Sequence, residues 1–350
     1  MNKPKAAING LVQPVRHTRG SLLPNSRVSL ISSRNTSEHT SLIPTRQALK
    51  DASTRSNIFG DTKESVINSS RITTQTISSK KEHIGDINDL KDCTDYETEI
   101  HSSLKKKELH SLPSASLFHH QTNIIPRMRS TVVDWLVDVH RKLSMNTDTL
   151  FYAINYMDRY LSVKDLDKSK YQLLGCTTIL MAAKMEEISP PSVNDLVHYA
   201  CDSFTNVALH RMETAVFAAL DFVLNPVLPT QFLRRYLKAL DSSIQETMMA
   251  NFILETLLLD SDFIGFQPSL LASLTICLST ILIRGPGSWN KSYETIVERS
   301  LQEIEPILYK VFSSIVSSSA SRFQAIRKKY AQSHMNSISL FEFPNELKIV

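Results

Sequence analysis

The sequence predicts an all-α protein: two consecutive five-helix bundles, an extra helix before the first, and a polar N-terminal tail. Three observations carry this. Apolar residues recur at three- and four-residue spacing through most of the sequence after residue 95. That pattern stops once, at Asn225-Pro226 to Pro229, and then resumes with five further stretches. The protein has 350 residues but only eight glycines and no glycine-rich loop, which argues against a nucleotide-binding α/β fold.

Residues 1–90 are rich in Ser, Thr and Asn, and Phe59 is the only aromatic residue before Tyr96. The first sixty residues hold nine Lys and Arg against two Asp and Glu. Such scant apolar surface cannot offset the entropy of ordering, so a disordered tail is expected. A lone helix follows over Asp95–Leu109, with Tyr96, Ile100 and Leu104 on one face and Lys105-Lys106-Lys107 near its end.

Residues 91–225 form the first expected domain. Pro126 suits a helix's first turn and opens a helix over Arg127–Leu143. Thr147 is the expected N-cap of a second helix, to Leu161. The third, Ser169–Ile188, carries Gly175, Thr178, Ala182 and Ala183 on one side. Small residues let neighbours approach, so this helix is expected at the bundle's centre. Pro190-Pro191 stops it. Glu186 and Glu187 at its end oppose the helix macrodipole and read either as a solvated helix end or as a charged lip that meets a partner. Ser192 to Asp195 resembles a capping box for the fourth helix, and Thr205 caps the fifth, Asn206–Leu220.

The second domain is expected over 226–333, with helices near Gln231–Leu240, Ile244–Ser261, Pro268–Ile283, Ser292–Arg299 and Glu303–Ser317. Gly285-Pro286-Gly287 stops the third of these. A short helix over Arg322–Tyr330 and an extension over 334–350 follow.

The net charge of +4 is too small to imply a nucleic-acid partner, and its excess lies in the tail. Cys93, Cys176, Cys201 and Cys277 form no close pair, which argues against zinc or a disulfide framework and fits a reducing compartment. The longest apolar run, Leu270–Ile283, is too short to span a bilayer, and no secretory signal is evident. No catalytic motif is present; His119-His120 has no cysteine at ligand spacing, and the Asp134/Asp138 pair has no second partner. Neither an enzyme nor a cofactor is expected.

Four motifs in order, Met-Arg-x-x-x-Val-Asp-Trp-Leu from Met128, Asp158-Arg159-Tyr160-Leu161, Ala183 to Pro191 through Lys184-Met185-Glu186-Glu187-Ile188, and Arg211-Met212-Glu213, resemble the cyclin box of mitotic cyclins. Tyr96-x-x-x-Ile100-His101 and Ile326-Arg327-x-Lys329-Tyr330 resemble the A-type more than the B-type. The resemblance covers about residues 95 to 335.

It implies a regulatory subunit that activates a cyclin-dependent serine/threonine kinase allosterically in S phase or mitosis. Lys184 and Glu213 would hydrogen-bond to the kinase backbone, with Met185, Glu187, Ile188, Tyr96 and Ile100 also in contact. Met185 stands where the family usually has Phe. A groove for Arg-x-Leu substrates or inhibitors would be formed by Met128, Thr131, Val132, Trp135, Tyr171 and Gln172, with Asp138 meeting the motif's basic residue. Thr131 and Val132 are smaller than usual, which makes the groove shallower. In the tail, Arg46 and Leu49, and Arg27, Leu30 and Asn35, resemble destruction boxes read by a ubiquitin ligase of the anaphase-promoting type. Nuclear and cytoplasmic localisation is implied, with no membrane and no direct nucleic-acid partner. The alternatives are a B-type or divergent cyclin, or a transcription-factor-type protein with the same double bundle.

Overall fold

The structure, a computed structural model, describes residues 94–349. The destruction-box motifs at Arg27, Leu30, Asn35, Arg46 and Leu49 lie outside the described residues, as does Cys93. Among the described residues there are twelve α-helices, joined by turns and short 3-10 segments, and no strands.

The lone helix is α1, Glu97–Lys107, entered through a 3-10 turn at Thr94–Tyr96. The first bundle contains α2 (Pro126–Lys142), α3 (Thr147–Val163), α4 (Tyr171–Glu186), α5 (Val193–Tyr199) and α6 (Asn206–Ala219). The second contains α7 (Pro229–Ala239), α8 (Ile244–Leu257), α9 (Pro268–Arg284), α10 (Lys291–Val297) and α11 (Leu301–Ser318). The short helix α12, Ala325–Tyr330, returns to pack on α2 and α8. The fold class read from the sequence is the fold observed.

The repeat is architectural. The third helix of each bundle is the central one: α4 touches α2, α3, α5 and α6, and α9 touches α7, α8 and α11. Both are apolar nearly all round, as buried helices must be. From Tyr171 to Ala183, every α4 residue except Gln172 is buried. A Cβ at Gly175 would sit 3.1 Å from Cγ1 of Val132, so the missing side chain is what lets α2 and α4 approach. Several buried hydroxyls on these helices bond their own backbone: Thr177 donates to Leu173 O, and Ser273 to Ser269 O, both at 2.8 Å.

Two local readings need correction. Thr147 is the first residue of α3 rather than its cap; Asn146 occupies the N-cap position, and its side chain does not bond the helix. The third helix begins at Tyr171, after a 3-10 turn at Lys168–Lys170 capped by Asp167. The capping box of Ser192 with Asp195 and the Thr205 cap form as the sequence indicates.

Candidate functional site

The C-terminal end of α4 carries the first site. Lys184 Nζ lies 2.6 Å from Glu213 Oε1, which joins the end of α4 to the middle of α6. The Lys184 side chain is 45% exposed and that of Glu213 only 11%, so a near-buried acceptor holds a cation presented to solvent. His210 Nδ1 is 3.5 Å from the second Glu213 oxygen. Met185 and Ile188, on either side of the two glutamates, are exposed. Tyr96 and Ile100 are exposed as well, at the entry to α1 and on its first turns.

Glu187 is used differently. Its carboxylate accepts from the Asn146 N–H at 2.6 Å, from Asn146 Nδ2 at 3.1 Å and from Thr149 Oγ1 at 2.6 Å. It therefore caps the N-terminus of α3 from outside. A negative charge that is unfavourable at the end of its own helix is favourable at the start of another. Glu186 remains exposed, its carboxyl pushed up by desolvation and by the charges of Asp148 and Glu187. Arg234 of α7 binds Asp148 through both guanidinium arms, at 3.1 and 2.9 Å, and so ties the second bundle to this lip.

The second site lies on α2. Thr131 is exposed, and Met128, Val132, Trp135 and Asp138 are half-buried. Asp138 pairs with Arg141 at 3.2 Å. Gln172 is half-buried and accepts from Ser203. Tyr171 is only 3% exposed, so it supports this region from beneath instead of lining an open surface, and burial raises its phenol. Asp134 accepts from the Ala325 N–H at 2.9 Å, which caps α12. This bond joins α2 to α12, and burial pushes the Asp134 carboxyl up.

Sequence reasoning assigned no role to a third group. Arg129 is 2% exposed and Asp158 is 3% exposed. They form a two-armed pair, both contacts at 2.7 Å, and Arg129 Nη1 also donates to Leu258 O of the second bundle. Ser130 donates to Leu259 O beside it. The signal was present: both charged residues stand inside the motifs quoted above.

Among the described residues, no group of three or more His, Cys, Asp or Glu is placed to hold a metal. No described helix is long and apolar enough to cross a membrane. Cys176 is buried and its thiol is pushed up to about 12, which suits a packing role and not a nucleophile.

Comparison with known proteins agrees with this architecture. The sequence models of the cyclin N-terminal domain and the cyclin C-terminal domain match residues 99–225 and 227–344. The protein is 35% identical to cyclin-A1 of Mus musculus over 257 residues, 73% of this chain and 61% of that protein. It is 33% identical to G2/mitotic-specific cyclin-B2 of Homo sapiens over 251 residues, 71% of this chain and 62% of that protein. A viral cyclin from herpesvirus saimiri shares the fold, with a TM-score of 0.51 at 21% identity, covering 68% of this chain and 99% of that structure. The match thus spans a little over three-fifths of the length of these curated relatives. With both domains matched in tandem across the two helical bundles, this protein belongs to the cyclin family.

Proposed function

We propose that the protein is a regulatory subunit that binds and allosterically activates a cyclin-dependent serine/threonine kinase. The observation that carries this is the Lys184–Glu213 pair at 2.6 Å, beside exposed Met185 and Ile188, in a member of the cyclin family. A lysine with three donors next to a carboxylate acceptor can exchange its internal bond for the backbone carbonyl and N–H groups of a partner. Such a grip depends little on the partner's side chains. Met185 adds an adaptable apolar contact.

The subunit does no chemistry in this reading. It binds the active kinase conformation better than the inactive one, and so shifts the equilibrium between them. Tyr96 and Ile100 extend the contact along α1. The α2 face of Met128, Thr131, Val132, Trp135 and Gln172, with Asp138 at its end, docks Arg-x-Leu segments of substrates or inhibitors. The Arg46 and Leu49 motif, with Arg27, Leu30 and Asn35, directs destruction by a ubiquitin ligase, and the protein acts in nucleus and cytoplasm.

Affinity capture of the tagged full-length protein, followed by a histone kinase assay, tests the central claim. Kinase and activity should co-purify with the wild type and fall at least tenfold for Lys184→Ala with Glu213→Ala. Unchanged recovery would refute the Lys184–Glu213 contact. In synchronised cells, Arg46→Ala with Leu49→Ala should prolong the protein's half-life several-fold through mitotic exit; identical decay would remove the destruction claim.

A further inference from the structure

The α2 face has two ends of opposite charge, and one end is built by a segment far away in sequence. Arg322, in the turn before α12, donates from Nη2 to Thr131 Oγ1 at 3.0 Å. The same guanidinium stacks on the Phe323 ring, 4.7 Å from its centroid. The Ala325 N–H bond to Asp134 anchors this segment onto α2. Arg322 is exposed, and only one of its five donors is needed for Thr131. Arg127, also exposed, lies one turn before Thr131 in the first turn of α2, where the helix dipole also favours an anion. At the other end stands Asp138, half-exposed and held only by an i,i+3 pair with Arg141 that is itself half-exposed. Such pairs are weak and exchange readily with an incoming cation.

We propose that Arg322, with Arg127, forms an anion subsite at the Thr131 end of the docking face, so that the docked segment carries a carboxylate or phosphate after its apolar anchor. This rests on the docking reading above and adds to it a charge at the opposite end. Thr131 and Asp138 are seven helical residues apart, about 10 Å. An extended peptide covers that distance in about three residues, and the reach of Arg322 adds about one more. The preferred segment is therefore Arg-x-Leu-x-anion, basic residue towards Asp138 and anion towards Arg322. The smaller Thr131 matters here, because its hydroxyl holds the guanidinium at the rim, a bond that no apolar residue makes.

Fluorescence polarisation with the full-length protein and three labelled peptides tests this. The peptides differ only at the last position of Arg-x-Leu-x-X, where X is Glu, phosphoserine or Gln. On wild type, Glu should bind about threefold to fivefold tighter than Gln at low salt, and phosphoserine tighter than Glu. Arg322→Ala should bring the three together, and Arg322→Glu should reverse the order. Trp135→Ala should abolish binding of all three. Equal affinity of all three peptides on wild type, with Trp135→Ala still abolishing binding, refutes the subsite and leaves the docking face standing. Binding insensitive to Trp135→Ala refutes the docking face and the subsite with it. A preference for phosphoserine alone identifies the natural occupant as phosphorylated and supports the subsite.

Discussion

A buried guanidinium is expensive, and Arg129 shows how the cost is met. Desolvation alone would depress its pKa, yet its two-armed bond to Asp158 and the nearby negative charge leave it raised. Its third arm, to Leu258 O, turns the pair into a joint between bundles. Replacing the arginine leaves Asp158 charged, 3% exposed and without its partner. Arg129→Ala should therefore destabilise the folded body by about 3–5 kcal/mol, read as a lower midpoint in urea unfolding. Replacing Arg129 and Asp158 together by apolar residues of similar volume should cost clearly less, because no buried charge is stranded. Equal losses in the single and double variants would mean that packing, not charge, governs the joint. The same logic of remote satisfaction explains Glu187, whose carboxylate neutralises the start of α3.

At the scale of the helix, what could be read from the sequence was what is local. The periodic apolar pattern, Pro126 and Pro268 at helix starts and the Ser192 box all act within a few residues, and α2, α9 and α5 begin where these signals place them. Gly175 was legible as a thin point in α4, and its near contact with Val132 gives the reason. The misplaced cap of α3 was not legible. Thr147 is a good capping residue, but the N–H and the side chain of the N-cap residue Asn146 are bound by Glu187, 41 positions away, and nothing local encodes that. The Lys184–Glu213 pair could be read only as two motifs; that the two side chains meet follows from α4 packing along α6. Arg322 escaped notice for the same reason, since its partner is 191 residues away.

Across the whole described body, the N-terminal helix behaves as a strap on the second bundle. Glu97 of α1 pairs with Arg235 of α7 at 3.1 Å. Glu108 is 5% exposed and accepts from both the N–H and the hydroxyl of Ser269, each at 2.9 Å, and so caps the start of α9. Between them His101 is 5% exposed, set edge-on to Phe232 and Tyr236 at 5.6 and 6.4 Å. Burial lowers its pKa, and Arg235 and Lys105 add to that; Glu298, 3.3 Å away, opposes them without prevailing. His140, on α2, is likewise lowered by burial, with Lys329 adding to that. A histidine lowered in the folded state takes up its proton more easily when unfolded, at a pKa of about 6.5. Its stabilising effect is therefore complete above that pH and is lost as pH falls through the folded value. Carboxylates with lowered values, such as Glu246, act only at more acidic pH. Acidification from about pH 7.5 to about pH 5.5, a window that brackets the unfolded histidine value, should lower the melting temperature of the full-length protein. His101→Phe should shrink that drop while keeping the edge-on aromatic contacts. Hydrogen exchange should place the loss in the strap: amides of Glu97–Lys107 should open faster at the acidic end in wild type but not in His101→Phe. An unchanged pH slope in the variant would remove His101 from this role and leave the strap held by its other contacts, those of Glu97 and Glu108 among them.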